Sequence, residues 1–173
     1  MPAANKTTDV YVYLGKVPRE LENPNDCAEK GQARPGTLLL SLEDTGRMLV
    51  RNGREIIVEP GPNFREERAA LYVLGSGFGA LLQQRGLLVL HGSSVVIDRR
   101  AVAFVGASGN GKSTLARCLV KRGHSLLSDD VSAIDFEHNS TPRVFPSYPQ
   151  MKLCSDAADH LGDASSDHPQ VLP

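Results

Sequence analysis

The sequence predicts an α/β protein with two units, and three observations support this prediction. Short apolar runs separated by turn residues fill the first 60 residues and are typical of β-strands. Apolar residues recur at helical spacing from Arg65 to about Gln84. A strand, a glycine-rich loop and a helix follow one another between Ala101 and Arg122, as in α/β sheets. We therefore expect a small β-rich α+β unit over residues 1–85, with a helix at about 65–84, and a second unit over residues 86–173.

The first unit should contain a β-meander. Its apolar runs Val10–Leu14 and Thr37–Leu42 are typical of strands. Asn52-Gly53 lies between the runs Gly46–Arg51 and Arg54–Glu59. This pair of residues tolerates positive φ at both centres of a type I′ turn, so these two runs should form a hairpin.

The predicted helix begins after Pro60-Gly61-Pro62, which ends the last of these strands. Three glycines, Gly75, Gly77 and Gly79, lie in its second half, and each lowers helix stability by about 1 kcal/mol relative to alanine. Two explanations remain open: the helix approaches another backbone closely there, or it is broken.

Composition excludes several classes of protein. The chain has 173 residues, with 19 basic residues against 20 acidic ones, so it does not resemble an electrostatic binder of nucleic acid. No apolar stretch approaches the roughly 20 residues of a membrane span, and the first residues contain no apolar signal core. The cysteines Cys27, Cys118 and Cys154 are too widely spaced for a zinc site or a disulfide framework. We expect a cytoplasmic protein that does not act on a membrane.

The glycine-rich loop carries the clearest chemistry. Residues 106–114 match the pattern G-x-x-x-x-G-K-[ST] between a strand and a helix. The glycines let backbone N–H groups converge on a polyphosphate at the positive end of a helix, Lys112 adds a mobile charge, and the Ser113 hydroxyl can bind Mg²⁺. The predicted nucleotide-binding residues are Gly106, Ala107, Ser108, Gly109, Asn110, Gly111, Lys112, Ser113 and Thr114.

Two adjacent carboxylates should lie beside this loop. A helix over Lys112–Arg122 runs about 16 Å away from the phosphates. A strand over Ser125–Ser128 returns about 13 Å, so Asp129 and Asp130 reach the edge of the sheet where ligands of α/β proteins bind. One carboxylate could bind a metal ion while the other acts as a general base, because neighbouring strand residues point to opposite sides.

A histidine upstream of the loop is placed near it by a predicted hairpin. A two-residue turn at Arg99-Arg100 would put Ser94 opposite Val105 and His91 level with Ser108. A single histidine is more often structural, but this position suits a group that orients a carboxylate or contacts a phosphate.

Four segments together resemble one family. They are Leu90–Ser94, Gly106–Thr114, Lys121–Asp130 and Pro146–Leu153, and they resemble the bacterial HPr kinase/phosphorylase-like serine kinases. The likeness is greater to the shorter relatives encoded with peptide natural-product and polysaccharide clusters. It implies a nucleotide-binding fold like that of PEP carboxykinase, and ATP-dependent phosphorylation of a serine hydroxyl on a protein or peptide.

The resemblance also implies roles for residues. Residues 106–114 would bind ATP and Mg²⁺ with Lys112 holding charge, Asp129 would accept the hydroxyl proton, Asp130 would hold the metal together with Ser113, and His91 would lie against the carboxylates. The residues alone leave the roles of the two aspartates exchangeable. Such relatives continue beyond the position of Pro173, so residues 86–173 should form only the N-terminal half of the kinase-like domain, and a homo-oligomer is favoured.

A different class of function stands beside the kinase. A truncated protein that binds a nucleotide or a partner peptide without turnover would have the same loop. A GTPase is disfavoured because no N-K-x-D motif occurs, and an ABC-type ATPase because L-S-G-G-Q is absent. The sequence does not identify the phosphate acceptor or show whether the reverse phosphorolysis takes place.

Overall fold

The computed structural model of the chain describes residues 9–136, 141–147 and 151. The chain divides between Arg85 and Gly86 into two compact units. Both contain strands and helices, so the fold is mixed α/β at the coarse level that the sequence predicted. Within the described ranges, no helix is long and apolar enough to cross a membrane. Cys154 lies outside these ranges. So does most of the segment Pro146–Leu153, one of the four on which the family resemblance is based.

A six-stranded sheet forms the first unit. Its strands, in the order in which they lie side by side, are β1 (Tyr11–Leu14), β6 (Glu55–Pro60), β5 (Gly46–Arg51), β4 (Thr37–Ser41), β3 (Gly31–Arg34) and β2 (Asp26–Ala28). Neighbouring strands are antiparallel except β1, which pairs in parallel with β6. Asn52 and Gly53 have φ values of 57° and 58°, so the predicted hairpin is present.

One helical segment covers this sheet. It consists of α1 (Glu66–Tyr72), a π-helical stretch over Val73–Gly77 and α2 (Phe78–Gln84). A Cβ atom at Gly77 would lie 3.2 Å from Met48 Sδ and 3.3 Å from Ile56 Cδ1, so glycine lets the helix approach the sheet. The sheet atoms nearest to this position therefore belong to side chains rather than to another backbone, and the helix is widened rather than broken.

Each face of the sheet has its own buried cluster. The cluster under the helices contains Leu42, Met48, Val50, Ile56, Val58, Ala69, Val73 and Leu81. The cluster on the other face contains Val17, Leu21, Leu39, Leu49 and Ile57. Successive residues of a strand point to opposite faces, which explains why the run from Ile56 to Val58 contributes to both clusters.

The second unit is built around one long strand. Its elements are β7 (Leu88–Ile97), β8 (Arg100–Val105), α3 (Lys112–Lys121), β9 (Ser125–Ser128), β10 (Val131–Asp135) and β11 (Arg143–Val144). Strand β8 pairs with one edge of β7, and β9 and β10 pair with its other edge. All three are antiparallel to β7, so the connection β8–α3–β9 joins two strands that run in the same direction with β7 between them.

The predicted β7–β8 register is wrong by two residues. The turn is formed by Asp98-Arg99, with φ values of 48° and 63°, rather than by Arg99-Arg100. A type I′ turn needs positive φ at both central residues, which aspartate adopts more readily than arginine does. Ser94 consequently pairs with Ala103. A shift of two residues keeps each side chain on its predicted face. The last pair of β7 with β8 is Gly92–Val105, so His91 lies one position beyond it, level with Gly106 at the start of the glycine-rich loop rather than with Ser108.

Candidate functional site

The glycine-rich loop connects β8 to α3 and adopts backbone conformations that favour glycine. Gly109 and Gly111 have φ values of 83° and 73°, and a Cβ atom at either position would meet nothing within 4 Å. Gly111 caps the N-terminus of α3 in the left-handed conformation. The loop and the positive end of a ten-residue helix are thus adjacent and exposed, an arrangement that suits an anion.

Lys112 lies across this loop. Its Nζ donates hydrogen bonds to the carbonyl oxygens of Gly106 and Ala107, each at 3.0 Å. A lysine held in this way can exchange carbonyl oxygens for phosphate oxygens without moving far. The loop geometry and the lysine therefore fit the phosphates of a nucleotide.

The two aspartates lie between β9 and β10, which follow each other along the same edge of β7. Ser128 at the end of β9 pairs with Ser94, and Val131 at the start of β10 pairs with His91, so the pairing keeps the same offset on either side of the interruption. Asp129 therefore lies across from Ser93, and Asp130 across from Gly92, whose N–H donates to the Asp130 carbonyl oxygen at 3.2 Å. Pairing with β7 thus determines where both carboxylates emerge.

Asp129 has a buried carboxylate that joins β7 to the start of α3. Asp129 is 9% exposed. Its Oδ1 accepts hydrogen bonds from Ser93 Oγ at 2.5 Å and from Ser113 Oγ at 2.9 Å. Hydrogen bonds from hydroxyl groups offset the cost of burying a carboxylate. The structure thereby brings together Asp129 and Ser113, two of the residues that the sequence singled out.

Asp130 faces a different partner. His91 Nδ1 lies 3.1 Å from Asp130 Oδ1 and 3.0 Å from the Asp130 carbonyl oxygen. The backbone of Asp130 has a φ of 74°, in the left-handed region that non-glycine residues seldom adopt outside turns and functional sites. The structure therefore separates the two carboxylates: Asp129 contacts the first turn of α3, and Asp130 contacts the histidine.

A serine cluster behind the site was not found by sequence reasoning. It consists of Ser94, Ser128 and Ser132, which are all fully buried. Ser128 Oγ lies 2.6 Å from Ser94 Oγ and 2.7 Å from Ser132 Oγ, and Ser132 Oγ donates to the Gly92 carbonyl oxygen at 3.3 Å. The cluster ties together β7, which carries Ser93 and His91, and β9 and β10, the strands on either side of the two aspartates.

The oxygen atoms at this site suit a Mg²⁺ ion that is bound together with a nucleotide. The described side chains do not form a site that would bind a metal ion by themselves. In the described part of the chain, no group of three or more His, Cys, Asp or Glu side chains could hold a metal ion. Mg²⁺ is commonly bound by one or two carboxylates, a hydroxyl group, water and the phosphates of a nucleotide. Ser113 and Asp129, which are in contact, offer this kind of oxygen ligand at the start of α3, and Asp130 follows Asp129 in the chain.

Comparison with known proteins shows local similarity to one family. Over 52 residues the chain is 46% identical to the HPr kinase/phosphorylase of Lactobacillus acidophilus. The matched segment makes up 30% of this chain and 16% of that protein. Over 44 residues it is 50% identical to the HPr kinase/phosphorylase of Chlorobium phaeovibrioides. That segment makes up 25% of this chain and 13% of that protein. The corresponding protein of Chlorobium chlorochromatii is 45% identical over 51 residues.

The similarity is to HPr kinases, and it is local. The matched segments span less than a third of this chain and a still smaller share of each relative. No family model matches the chain, and no solved structure matches it. The comparisons therefore support the family resemblance without extending it to the whole chain.

Proposed function

We propose that this protein is an ATP-dependent kinase that phosphorylates a serine hydroxyl on a protein or peptide. The observation that carries the proposal is the hydrogen bond of 2.9 Å between Ser113 and Asp129, which joins the start of α3 to a buried carboxylate. A nucleotide loop and a carboxylate in contact are the two parts that phosphoryl transfer requires. The local similarity to HPr kinases supports the same chemistry.

In this proposal the loop holds ATP. Backbone N–H groups of residues 106–114 bind the phosphates, and Lys112 moves from the carbonyl oxygens of the loop to the outer phosphates. Ser113 and Asp130 supply oxygen ligands for Mg²⁺. Mg-ATP supplies the phosphoryl group and the positive charge that stabilises it during transfer.

Asp129 is the proposed general base. Its Oδ1 already accepts hydrogen bonds from two serine hydroxyl groups, the same kind of donor that a serine substrate presents. As the acceptor oxygen forms its bond to the γ-phosphorus, the bond from that phosphorus to the bridging oxygen breaks and ADP leaves. The hydroxyl proton passes to the Asp129 carboxylate. His91 contacts Asp130 and holds it in place.

A phosphate-transfer assay tests the proposal. Wild-type protein is incubated with Mg²⁺ and γ-labelled ATP together with HPr, the protein named by the relatives, and with an array of serine-containing peptides. We expect labelled phosphoserine on at least one acceptor. Lys112→Ala should abolish labelling, while Lys121→Ala, a lysine at the far end of the same helix, should not.

Two other results would contradict the proposal in different ways. ATP binding in a calorimeter without transfer to any acceptor would favour the alternative of a binding protein without turnover. Absence of ATP binding would show that the loop is not a nucleotide site. The cytoplasmic location and the homo-oligomer stay predictions from the sequence.

A further inference from the structure

We propose that Ser93 is a positioning residue that holds the Asp129 carboxylate in its working orientation; this role rests on the proposed kinase function. Ser93 lies in the middle of β7 and is fully buried. Its Oγ donates to Asp129 Oδ1 at 2.5 Å, the shorter of the two hydroxyl contacts to that oxygen. Sequence reasoning assigned no role to this residue.

The two serines that contact Asp129 differ in their freedom to move. Ser113 is only partly buried and lies in the first turn of α3, where the proposed function gives its hydroxyl a metal ion to bind. Ser93 is enclosed on both edges of β7, because β8 pairs with one edge and the β9–β10 line runs along the other. Ser93 is therefore the donor that stays with the carboxylate when Ser113 serves another partner.

The hydrogen bond from Ser93 should affect catalysis more than binding. A buried carboxylate without a fixed donor adopts several orientations, and small misplacements of a catalytic group slow the chemical step strongly. Ser93→Ala should therefore lower kcat by about 10-fold to 100-fold, the range expected for one hydrogen bond to a charged group. KM for ATP should remain close to that of wild type, because the Ser93 hydroxyl donates to Asp129 rather than to a residue of the loop.

The neighbouring residue offers a matched control. Ser94 is as fully buried as Ser93 and lies next to it in β7, but its hydroxyl contacts Ser128 and Ser132 instead of Asp129. Ser94→Ala should lower stability without the loss of kcat that Ser93→Ala causes. Ser93→Thr, which keeps the hydroxyl group, should restore at least half of wild-type kcat.

The experiment combines steady-state kinetics with a spectroscopic measurement. We would measure kcat and KM for ATP in the four proteins, using whichever of HPr or the array peptides the wild type phosphorylates. In parallel, protein labelled with ¹³C at aspartate carboxyl groups is recorded without nucleotide, and the Asp129 resonance is assigned by comparison with Asp129→Asn. Ser93→Ala should move that resonance, and Ser94→Ala should leave it unchanged.

The outcomes separate this inference from the proposed function. An inactive wild type would overturn the kinase proposal, while the carboxyl resonance would still test the contact between Ser93 and Asp129. An active Ser93→Ala protein with wild-type kcat, or an equal loss of kcat in Ser94→Ala, would overturn the positioning role. Should Ser93→Ala fail to fold, Ser93→Cys provides a similar shape with a weak donor, and wild-type kcat in that variant would also refute the role.

Discussion

Replacing Ser128 with alanine should destabilise the second unit measurably. Ser128 Oγ is the central atom of the serine cluster, with Ser94 Oγ at 2.6 Å and Ser132 Oγ at 2.7 Å. All three residues are fully buried, so water cannot replace the lost hydroxyl group. The substitution leaves two buried hydroxyl groups with fewer partners and opens very little space.

The expected magnitude follows from the number of hydrogen bonds. A hydrogen bond inside a protein contributes about 0.5–1.5 kcal/mol, so two of them amount to about 1–3 kcal/mol. Ser94 Oγ and Ser132 Oγ keep each other at 3.4 Å, and Ser132 keeps the Gly92 carbonyl oxygen, which argues for the middle of this range. A loss of about 2 kcal/mol should lower Tm by about 8–16 °C for a unit of this size.

Thermal melting followed by circular dichroism measures this change, and urea unfolding checks that the slope with denaturant is unaltered. Ser125→Ala is the matched control, because Ser125 is an exposed serine in the same short strand, β9. Both variants lose one serine hydroxyl group of β9; at position 128 that group is buried with two hydroxyl partners, and at position 125 it is exposed to water. Equal Tm values for Ser128→Ala and Ser125→Ala would show that the serine cluster does not stabilise the fold.

Three further predictions concern charged residues. Lys112→Ala should raise the Kd for Mg-ATP at least about 10-fold by removing a charge-assisted contact, and an unchanged Kd in a calorimeter would contradict the loop assignment. Asp129→Asn should slow phosphoryl transfer by about 10²–10⁴-fold with ATP affinity retained, whereas Asp130→Asn should raise the Mg²⁺ concentration needed for half-maximal rate. Initial rates over a range of Mg²⁺ concentrations distinguish them, and identical profiles would refute the division of roles. The hydrogen bond from Arg51 holds the pKa of Glu55 below its ordinary value of 4.5. This pair therefore stabilises the folded state fully at pH values above 4.5, and its contribution is lost as the pH falls through the lowered pKa. Urea midpoints at about pH 6 and about pH 3 should differ less in Glu55→Gln than in wild type; an equal difference would show that the pair does not contribute.

Features that depend on local chemistry could be predicted from the sequence. Asn52-Gly53 forms its hairpin because both residues tolerate positive φ, and the glycine-rich loop lies between a strand and a helix as its pattern requires. The helical segment between Glu66 and Gln84 follows from the spacing of its apolar residues. Its π-helical stretch could not be predicted, because it reflects contact with Met48 and Ile56 on the sheet.

Features that depend on pairing between distant strands were harder to predict. The β7–β8 turn was placed one residue too late because the pattern of apolar residues alone does not distinguish Asp98-Arg99 from Arg99-Arg100. The reach of α3 and β9 predicted that Asp129 would come near the loop, and its contact with Ser113 agrees with that expectation. The contact with Ser93 was missed because only β8 was predicted to pair with β7. The pairing of β9 and β10 with the other edge of β7, which places Asp129 beside Ser93, joins distant segments and has no local signal in the sequence.

The serine cluster constrains how this chain can change over time. Each of its hydroxyl groups contacts the other two, so a single replacement by an apolar residue leaves the remaining hydroxyl groups with fewer partners inside the sheet. Replacing all three at once removes every hydroxyl group of the cluster, and the Gly92 carbonyl oxygen loses the donor from Ser132. This triple change can be closer to neutral, because apolar side chains of similar shape pack well in the same space. Any mutational route from three serines to three apolar residues therefore passes through less stable intermediates. These positions should accept coordinated substitution far more readily than stepwise substitution.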